Sequence, residues 1–220
     1  GGRSRDTTLT NNLAAEGLAD ATHPKGIHSY GSLIKDDAER VAMMGNVWAH
    51  NVGRNPRLKT GTTSAVVNNV MYHFDEATNL DPDSIASIVG NAYLRVDEGD
   101  ANIEGGRAYV ADNVSDPETP MTAGVERFDG RRVWPGVDPL PSGETVEHNL
   151  ANAGARPADR TAHDERLVRQ VRDRTGERID AESEVGGYPD LPANTHEISV
   201  PDEGTRAWIR EWSRRVEESS

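Results

Sequence analysis

Short apolar runs recur along the first half of the chain, and an asparagine accompanies each run at a nearly constant interval. Successive asparagines are separated by 23, 22 and 22 residues, and the positions three before and one after each of them are apolar in every copy. The copies are Met43, Asn46 and Val47; Val66, Asn69 and Val70; Ile88, Asn91 and Ala92; and Val110, Asn113 and Val114. Such a period is typical of a solenoid, and chance recurrence of asparagine does not account for two flanking apolar rows.

The runs are predicted to be strands of a right-handed parallel β-helix. They are short, partly β-branched, and lack the spacing of an amphipathic helix. Asparagine suits a sharp bend because it tolerates the left-handed backbone conformation, and its stacked side chains can pass hydrogen bonds between coils. Asn12 marks an earlier copy, whose distance of 34 residues from Asn46 indicates a coil with an insertion of 12 residues.

The periodic pattern stops after residue 115, where a proline-rich stretch begins. We therefore expect an all-β domain of parallel β-helix coils over residues 1–125. Residues 126–220 are expected to form a C-terminal extension of irregular segments and short helices that pack on the solenoid. The predicted helices are Glu144–Ala151, a helix from the capping box Thr161–Asp164 to Gly176, and Glu203–Glu217 with the apolar stripe Trp208, Ile209, Trp212 and Val216.

The composition is strongly acidic and poor in lysine. There are 37 acidic residues against 24 arginines and lysines, a net charge of −13, and only three lysines. Such a surface indicates adaptation to high salt, which screens charge repulsion, unless the bias reflects the genome alone. The charge argues against nucleic acid as a partner, because binding its backbone requires a basic face. Without cysteine, disulfides and thiolate metal sites are excluded.

No stretch of the sequence is apolar enough for a signal peptide or a membrane span. The chain begins with two glycines rather than methionine, and we interpret this start as that of a fragment or a processed product. We therefore expect no membrane partner.

Basic residues concentrate in one segment, Asn51–Lys59, which carries Arg54, Arg57 and Lys59. Pro56 stiffens this loop and restricts the preceding residue to extended geometry, so the two arginines are held apart just after a strand. A guanidinium suits bidentate contacts with a carboxylate, and the lysine adds a point charge. The segment is a candidate anion site. The alternative is that its cations neutralise acidic neighbours on adjacent coils.

Two histidines, His50 and His73, fall four residues after successive asparagines. In a β-helix they stack on adjacent coils, about 4.8 Å apart. Arg95 takes the same position on the next coil, and no third histidine or cysteine is in register. A polar ladder on the surface is therefore favoured over a metal site.

Several segments together carry a resemblance to a known family. They are Glu16–Leu18, His23–Gly26, His28–Ile34, His50–Arg57 and Val67–Tyr72, followed towards the C-terminus by Ala153–Pro157 and Glu184–Pro189. In this combination, which covers most of residues 5–190, they resemble the pectate lyases of polysaccharide lyase family 1. The last two segments resemble the tail of its bacterial and archaeal members.

The resemblance implies a β-elimination on polygalacturonate. Family members remove the proton at C5, next to the uronate carboxylate, and expel the O4 glycosidic oxygen, while calcium and basic side chains stabilise the developing charge. The family motif places the catalytic arginine at Arg54, an auxiliary substrate-binding arginine at Arg57 and a further basic position at Lys59. Since a guanidinium normally stays protonated, Arg54 is either a base made neutral by nearby cations or an electrostatic stabiliser beside a water or hydroxide base.

Two departures from the family pattern bear on activity. Tyr30 stands where many members have a substrate-binding lysine, so this contact is lost unless Lys25 or Lys35 substitutes. Tyr30 and Lys25 are expected to be substrate-binding residues. The family's calcium ligands lie mainly on coils before the one that begins near Thr8. We therefore expect the calcium ligands outside this chain, which need not be active alone. The acids that remain near the site are interpreted as solvated surface residues: Asp6, Glu16, Asp20, Asp36 and Asp37.

The resemblance further implies an extracellular, monomeric enzyme whose partner is an acidic polysaccharide. The alternative from another class is a non-catalytic β-helix that binds acidic polysaccharide, like a solenoid adhesin. A hydrolase or esterase acting on pectin is disfavoured, because such enzymes rely on paired aspartates. No aspartate pair lies beside the basic segment at a recurring coil position.

Overall fold

The computed structural model describes residues 3–130, 137–188 and 199–218, with side chains up to residue 215 in the last helix. Their strands form a parallel β-helix with three sheets, because each coil contributes one short strand to each sheet. The first sheet contains β1 (Arg5–Thr10), β4 (Glu39–Met44), β7 (Thr63–Val67), β10 (Ile85–Val89), β13 (Arg107–Ala111) and β16 (Glu126–Arg127). The second contains β2 (Leu13–Ala15), β5 (Val47–Ala49), β8 (Val70–Phe74), β11 (Ala92–Val96) and β14 (Val114–Asp116). The third contains β3 (Leu33–Ile34), β6 (Arg57–Leu58), β9 (Thr78–Leu80), β12 (Ile103–Glu104) and β15 (Thr122–Ala123).

The two apolar rows of the repeat face different cores. In the first sheet Met43, Val66 and Ile88 pair in register and are fully buried in the interior of the coils. In the second sheet Val47 and Val70 pair in register, but they belong to a separate core that lies beneath helices. The β-helix fold and the register of the repeat are confirmed. The prediction did not include the burial of the second sheet on both of its faces.

The recurring asparagines form a ladder of side-chain amides along the bend between the first and second sheets. Nδ2 of Asn46 donates to Oδ1 of Asn69 at 2.9 Å, and Asn69 donates in turn to Asn91 at 3.0 Å. The ladder asparagines do not occupy the left-handed region, so this part of the prediction is wrong. The preceding residue of each copy has the positive φ instead, and these residues are Asn11, Gly45, Asn68, Gly90 and Asp112. The asparagine is thus required for its hydrogen bonds rather than for its backbone conformation.

Two helices cover the outer face of the second sheet. Helix α1 spans Ser142–Asn152 and helix α2 spans Ala162–Asp173, and both contribute apolar side chains to the outer core. The Oγ1 of Thr161 caps α2 as predicted, by accepting the amide of Asp164. The predicted end at Gly176 is wrong, since α2 already ends at Asp173 and the next residue, Arg174, has a φ of 58°. A short 3₁₀ helix follows at Glu182–Val185.

The chain divides into two compact units, Gly1–Gly187 and Tyr188–Ser220. The second unit contains helix α3, Thr205–Glu218, in which the rings of Trp208 and Trp212 lie 5.9 Å apart. The packing of its apolar stripe on the solenoid stays a prediction, and the side chain of Val216 lies outside the described residues. Within the described ranges, no helix has the length and apolar character that a membrane crossing requires.

His50 and His73 are buried under the segment that follows α2, so the prediction of a surface ladder is wrong. Their Nδ1 atoms are 2.7 Å apart, and His73 Nε2 lies 2.8 Å from the Asp97 carboxylate. Because Asp97 accepts from His73 Nε2–H, the other nitrogen of His73 accepts from His50 Nδ1–H. This arrangement leaves His73 neutral. Burial, followed by the repulsion that a protonated His73 would exert, lowers the pKa of His50 to about 3, so His50 is neutral as well.

The buried pair predicts a loss of stability in acid. A histidine with a lowered folded-state pKa keeps its stabilising contribution above its unfolded pKa of 6.5 and loses it as the pH falls from 6.5 towards 3. We expect His50 to lower the free energy of unfolding by about 1.4 kcal/mol for each pH unit in this window. Urea denaturation at several pH values should give a shallower pH slope for His50→Gln than for the unmodified chain. The exposed His148→Gln on α1 serves as the control, and equal slopes for all three proteins would contradict the assignment.

Candidate active site

The basic segment forms the turn that leads from the second sheet to the third. The buried side chain of Asn55 holds this turn in place, because its Nδ2 donates to the carbonyls of Asn51 and Glu76. Arg54 lies on this turn with a φ of 58°, and its chain neighbour Gly53 pairs with Tyr30 in a parallel bridge. The fold thus brings Tyr30 and Arg54, which are 24 residues apart in sequence, to the same point on adjacent coils.

Arg54 packs against an aromatic ring instead of a carboxylate. Its guanidinium carbon lies 4.0 Å from the centre of the Tyr30 ring, a cation–π contact. No carboxylate within the described ranges lies at ion-pairing distance from Arg54, whereas other arginines, such as Arg40 and Arg166, are paired. The charge of Arg54 is therefore available to an anionic ligand.

Arg57 and Lys59 share one acidic partner, Asp81, on the next coil. The Arg57 Nη2 to Asp81 Oδ1 distance is 2.7 Å, and the Lys59 Nζ to Asp81 Oδ2 distance is 2.8 Å. Partial burial raises the pKa of Asp81, but the hydrogen bonds from Lys59 and Arg57 outweigh it and hold this pKa below its usual value. For these two cations, the structure has the neutralising contacts that the sequence analysis left open as an alternative. It does not have them for Arg54.

Two histidines that the sequence analysis did not weigh extend this site. The ring of His23 stacks on that of His28 with a centroid distance of 3.6 Å, and the rings of His28 and Tyr30 form an edge-type contact with centroids 4.2 Å apart. Lys25 is exposed, and its backbone amide donates to His23 Nδ1 at 3.2 Å. The sequence signal was available in the run His23–Tyr30, which contains two histidines, a lysine and a tyrosine.

The site borders an acidic cleft of about 400 Å³, which the sequence analysis also missed. Glu76 lies beside Gly53 in this cleft, since its Oε2 is 3.2 Å from where a β-carbon on Gly53 would stand. A side chain at Gly53 would press on Glu76 and on Tyr30, which would have to shift by a few tenths of an ångström. Burial and the charges of Glu76 and Asp100 raise the pKa of Glu104. The cleft is lined by Tyr30, Val52, Asp75, Glu76, Glu98, Gly99, Asp100 and Glu104.

The described residues do not fit a metal centre. No group of three or more histidine, aspartate or glutamate side chains in the described ranges is placed to hold a metal ion.

The acids predicted to be solvated surface residues differ from one another. Asp6 forms an exposed pair with Arg40, as expected for a surface acid. Glu16 is different, because its side chain is only 10% exposed and pairs with Arg166 of α2. The prediction that Glu16 is a solvated surface acid is therefore wrong.

The comparisons with known proteins support the fold more than the chemistry. The chain is similar to a solved structure described as the thermostable pectate lyase PL 47, with a TM-score of 0.50 and 11% sequence identity. The match covers 71% of this chain and 53% of the other, so the chain spans about half the length of that structure. No protein-family model matches the sequence, and no curated protein matches it. The similarity therefore shows a pectate lyase-like β-helix, and membership of polysaccharide lyase family 1 stays a prediction.

Proposed function

We propose that this protein is a polysaccharide lyase that cleaves polygalacturonate by β-elimination. The observation that carries the proposal is the unpaired guanidinium of Arg54, held on Tyr30 at a turn of a pectate lyase-like β-helix. In a chain with 37 acidic residues, a cation without a carboxylate partner is free to bind an anion from outside. A uronate carboxylate has the charge and the planar shape that a guanidinium recognises.

Neutralising the carboxylate is the step on which this chemistry depends. The C5 proton of a uronate is weakly acidic because its removal adds a second negative charge beside the carboxylate. A fixed cation at Arg54 lowers this cost by stabilising the charge as it develops. The C5 proton passes to a water or hydroxide at the site, the electron pair of the C5–H bond forms the C4=C5 double bond, and the glycosidic oxygen leaves from C4 and takes a proton from water.

Tyr30 and Lys25 are proposed to hold neighbouring sugars of the polymer. Tyr30 offers an aromatic ring beside Arg54, and Lys25 is an exposed cation two residues from His23, whose ring stacks on His28 next to Tyr30. Arg57 and Lys59 can contribute only if a substrate carboxylate competes with Asp81. Calcium would have to be bound by ligands outside the described residues, and the elimination is proposed here without it. The proposal also includes secretion, action as a monomer on plant polysaccharide and operation at high salt.

The test is an assay for unsaturated product. Polygalacturonate is incubated with the 220-residue chain, and with the chain extended by whatever its gene encodes upstream, at high salt with and without added calcium. We expect the ultraviolet absorbance of the unsaturated uronide to rise with time. Binding of the polymer without any absorbance, from both folded proteins, would instead favour the non-catalytic polysaccharide binder.

Asp81 offers a second, quantitative check on the site. Replacing Asp81 with alanine frees Arg57 and Lys59, so we expect polygalacturonate to bind about tenfold more tightly, with a steeper dependence on salt. The affinity is measured by calorimetry at two salt concentrations. Glu126→Ala is the matched control, because it frees Arg107 on the first sheet. Equal tightening by both substitutions would mean that net charge, rather than this site, determines the affinity.

A further inference from the structure

The loop over residues 18–28 carries side chains that surround the guanidinium of Arg54, and we call it the substrate loop. Lys25 lies on it, and the ring of His28 contacts Tyr30, on which Arg54 lies. The loop runs between strands β2 and β3, and most of its residues are exposed. Its position therefore depends on contacts with other parts of the chain.

The substrate loop is tied to the segment that follows helix α2. The backbone amide of Ala19 donates to the carbonyl of Ile179 at 2.8 Å. The next amide, of Asp20, donates to Oδ1 of Asp180 at 2.9 Å. The amide of His28 donates to the carbonyl of Ala19 at 2.9 Å, so the two ends of the loop close on the residue that Ile179 holds. Among the described residues, the hydrogen bonds that leave the loop go to this segment alone.

The segment that holds the loop, residues 175–180, is itself fixed to the coils, and we call it the strap. Glu177 of the strap pairs with Arg95 on β11 at 2.9 Å. Arg178 pairs at 2.6 Å with Asp75, which also lines the acidic cleft. The side chains of Arg178 and Asp75 are only 21% and 22% exposed, so salt screens this pair less than the pairs on the surface. The strap thus connects the coils to the substrate loop.

We infer that the strap positions the substrate loop, and that Asp180 is a positioning residue for binding of the polymer. This inference rests on the proposed function, in which Lys25 and Tyr30 contact the substrate. A loop that is ordered before the substrate arrives loses less conformational entropy on binding, so its ordering raises the affinity. Asp180 acts through the backbone of Asp20 rather than on the substrate. Its loss should therefore weaken binding without slowing the elimination itself.

Two substitutions at Asp180 separate its hydrogen bond from its charge. Asp180→Ala removes both, whereas Asp180→Asn removes the charge but keeps Oδ1 as an acceptor for the amide of Asp20. We expect the KM for polygalacturonate to be about fivefold higher in Asp180→Ala than in Asp180→Asn, with equal kcat. Both constants are measured with the assay for unsaturated product. A loss of folded protein would lower kcat instead.

Amide hydrogen exchange followed by NMR tests the position of the loop without turnover. The informative amides are those of Ala19 and His28, because neither of them bonds to Asp180 itself. Both should exchange faster in Asp180→Ala than in Asp180→Asn, since they lose protection only if the loop leaves the strap. The amide of Asn55, in the turn that carries Arg54, should exchange equally in the two variants.

The two measurements separate the role of the strap from the proposed function. Equal exchange of the loop amides, or equal KM, in the two variants would overturn the role of the strap and leave the lyase intact. A folded protein without lyase activity would overturn the proposed function. In that case, faster exchange and weaker calorimetric binding of polygalacturonate by Asp180→Ala would still support the strap. A folded protein that neither cleaves nor binds the polymer would overturn both.

Discussion

Replacing Arg54 with alanine is expected to lower the kcat of polygalacturonate cleavage by about 100- to 1,000-fold, the usual effect of removing one electrostatic stabiliser of a transition state. The guanidinium contacts the Tyr30 ring and has no carboxylate partner in the described part of the chain, so its charge is available to the substrate and is lost in the variant. Arg54→Lys should retain more activity than Arg54→Ala, since it keeps a positive charge. The rates are measured from the ultraviolet absorbance of the unsaturated product.

The matched control for Arg54 is Arg107→Ala. Arg107 lies on the first sheet, is exposed and pairs with Glu126, so its loss removes the same charge away from the site. We expect its kcat to stay within about twofold of the unmodified enzyme, because exposed ion pairs contribute little. If Arg54→Ala and Arg107→Ala were equally active, the assignment of the site to Arg54 would be wrong, although the enzyme could still be a lyase.

Replacing Asn69 with leucine is expected to lower the free energy of unfolding by about 3 kcal/mol or more. The side chain of Asn69 is fully buried and accepts from the backbone and side-chain amides of Asn46. It also donates to the carbonyl of Met43 and to Oδ1 of Asn91. A leucine of similar size leaves these buried polar groups without partners, and each of them then loses the hydrogen bonds that compensate its burial.

Asn12→Leu is the control for Asn69, since Asn12 lies at the exposed end of the same ladder. Its Nδ2 donates to Asn46 and to the carbonyl of Thr10, but its Oδ1 accepts from no described residue. We expect a loss of about 1 kcal/mol. Urea denaturation monitored by circular dichroism gives both values. Equal losses at Asn12 and Asn69 would show that the ladder does not stabilise the interior of the coils.

The coils could be predicted because the chemistry that specifies them is repeated in sequence. Each ladder asparagine bonds to the copies before and after it, so its spacing records the length of a coil directly. The same period could have predicted the ion pair between Lys59 and Asp81, because Asp81 lies 22 residues after Lys59 and therefore at the same position on the next coil. By that rule Glu76, 22 residues after Arg54, should pair with Arg54. In the structure Glu76 turns over Gly53 into the acidic cleft instead, a choice between rotamers that spacing does not record.

The rest of the site depends on contacts that no repeat encodes. His23 and His28 lie in the long insertion between Asn12 and Asn46, outside the period. Likewise, the burial of His50 and His73 depends on residues more than 100 positions away, such as Thr175, whose carbonyl accepts from Tyr72 at 2.7 Å. Strand β8 did carry a signal, because four of its five residues are apolar and only His73 interrupts them. Such a run, without alternation of apolar and polar residues, indicates cover on both faces of the sheet.

The masses of the products test the central claim most directly. A single oligogalacturonate of defined length is digested to completion by the protein, and the products of each cut are weighed by mass spectrometry. Elimination breaks the chain without adding water, so the two product masses should sum to the mass of the substrate, and one product should carry the double bond. Product masses that sum to the substrate plus one water would identify a hydrolase and contradict the account.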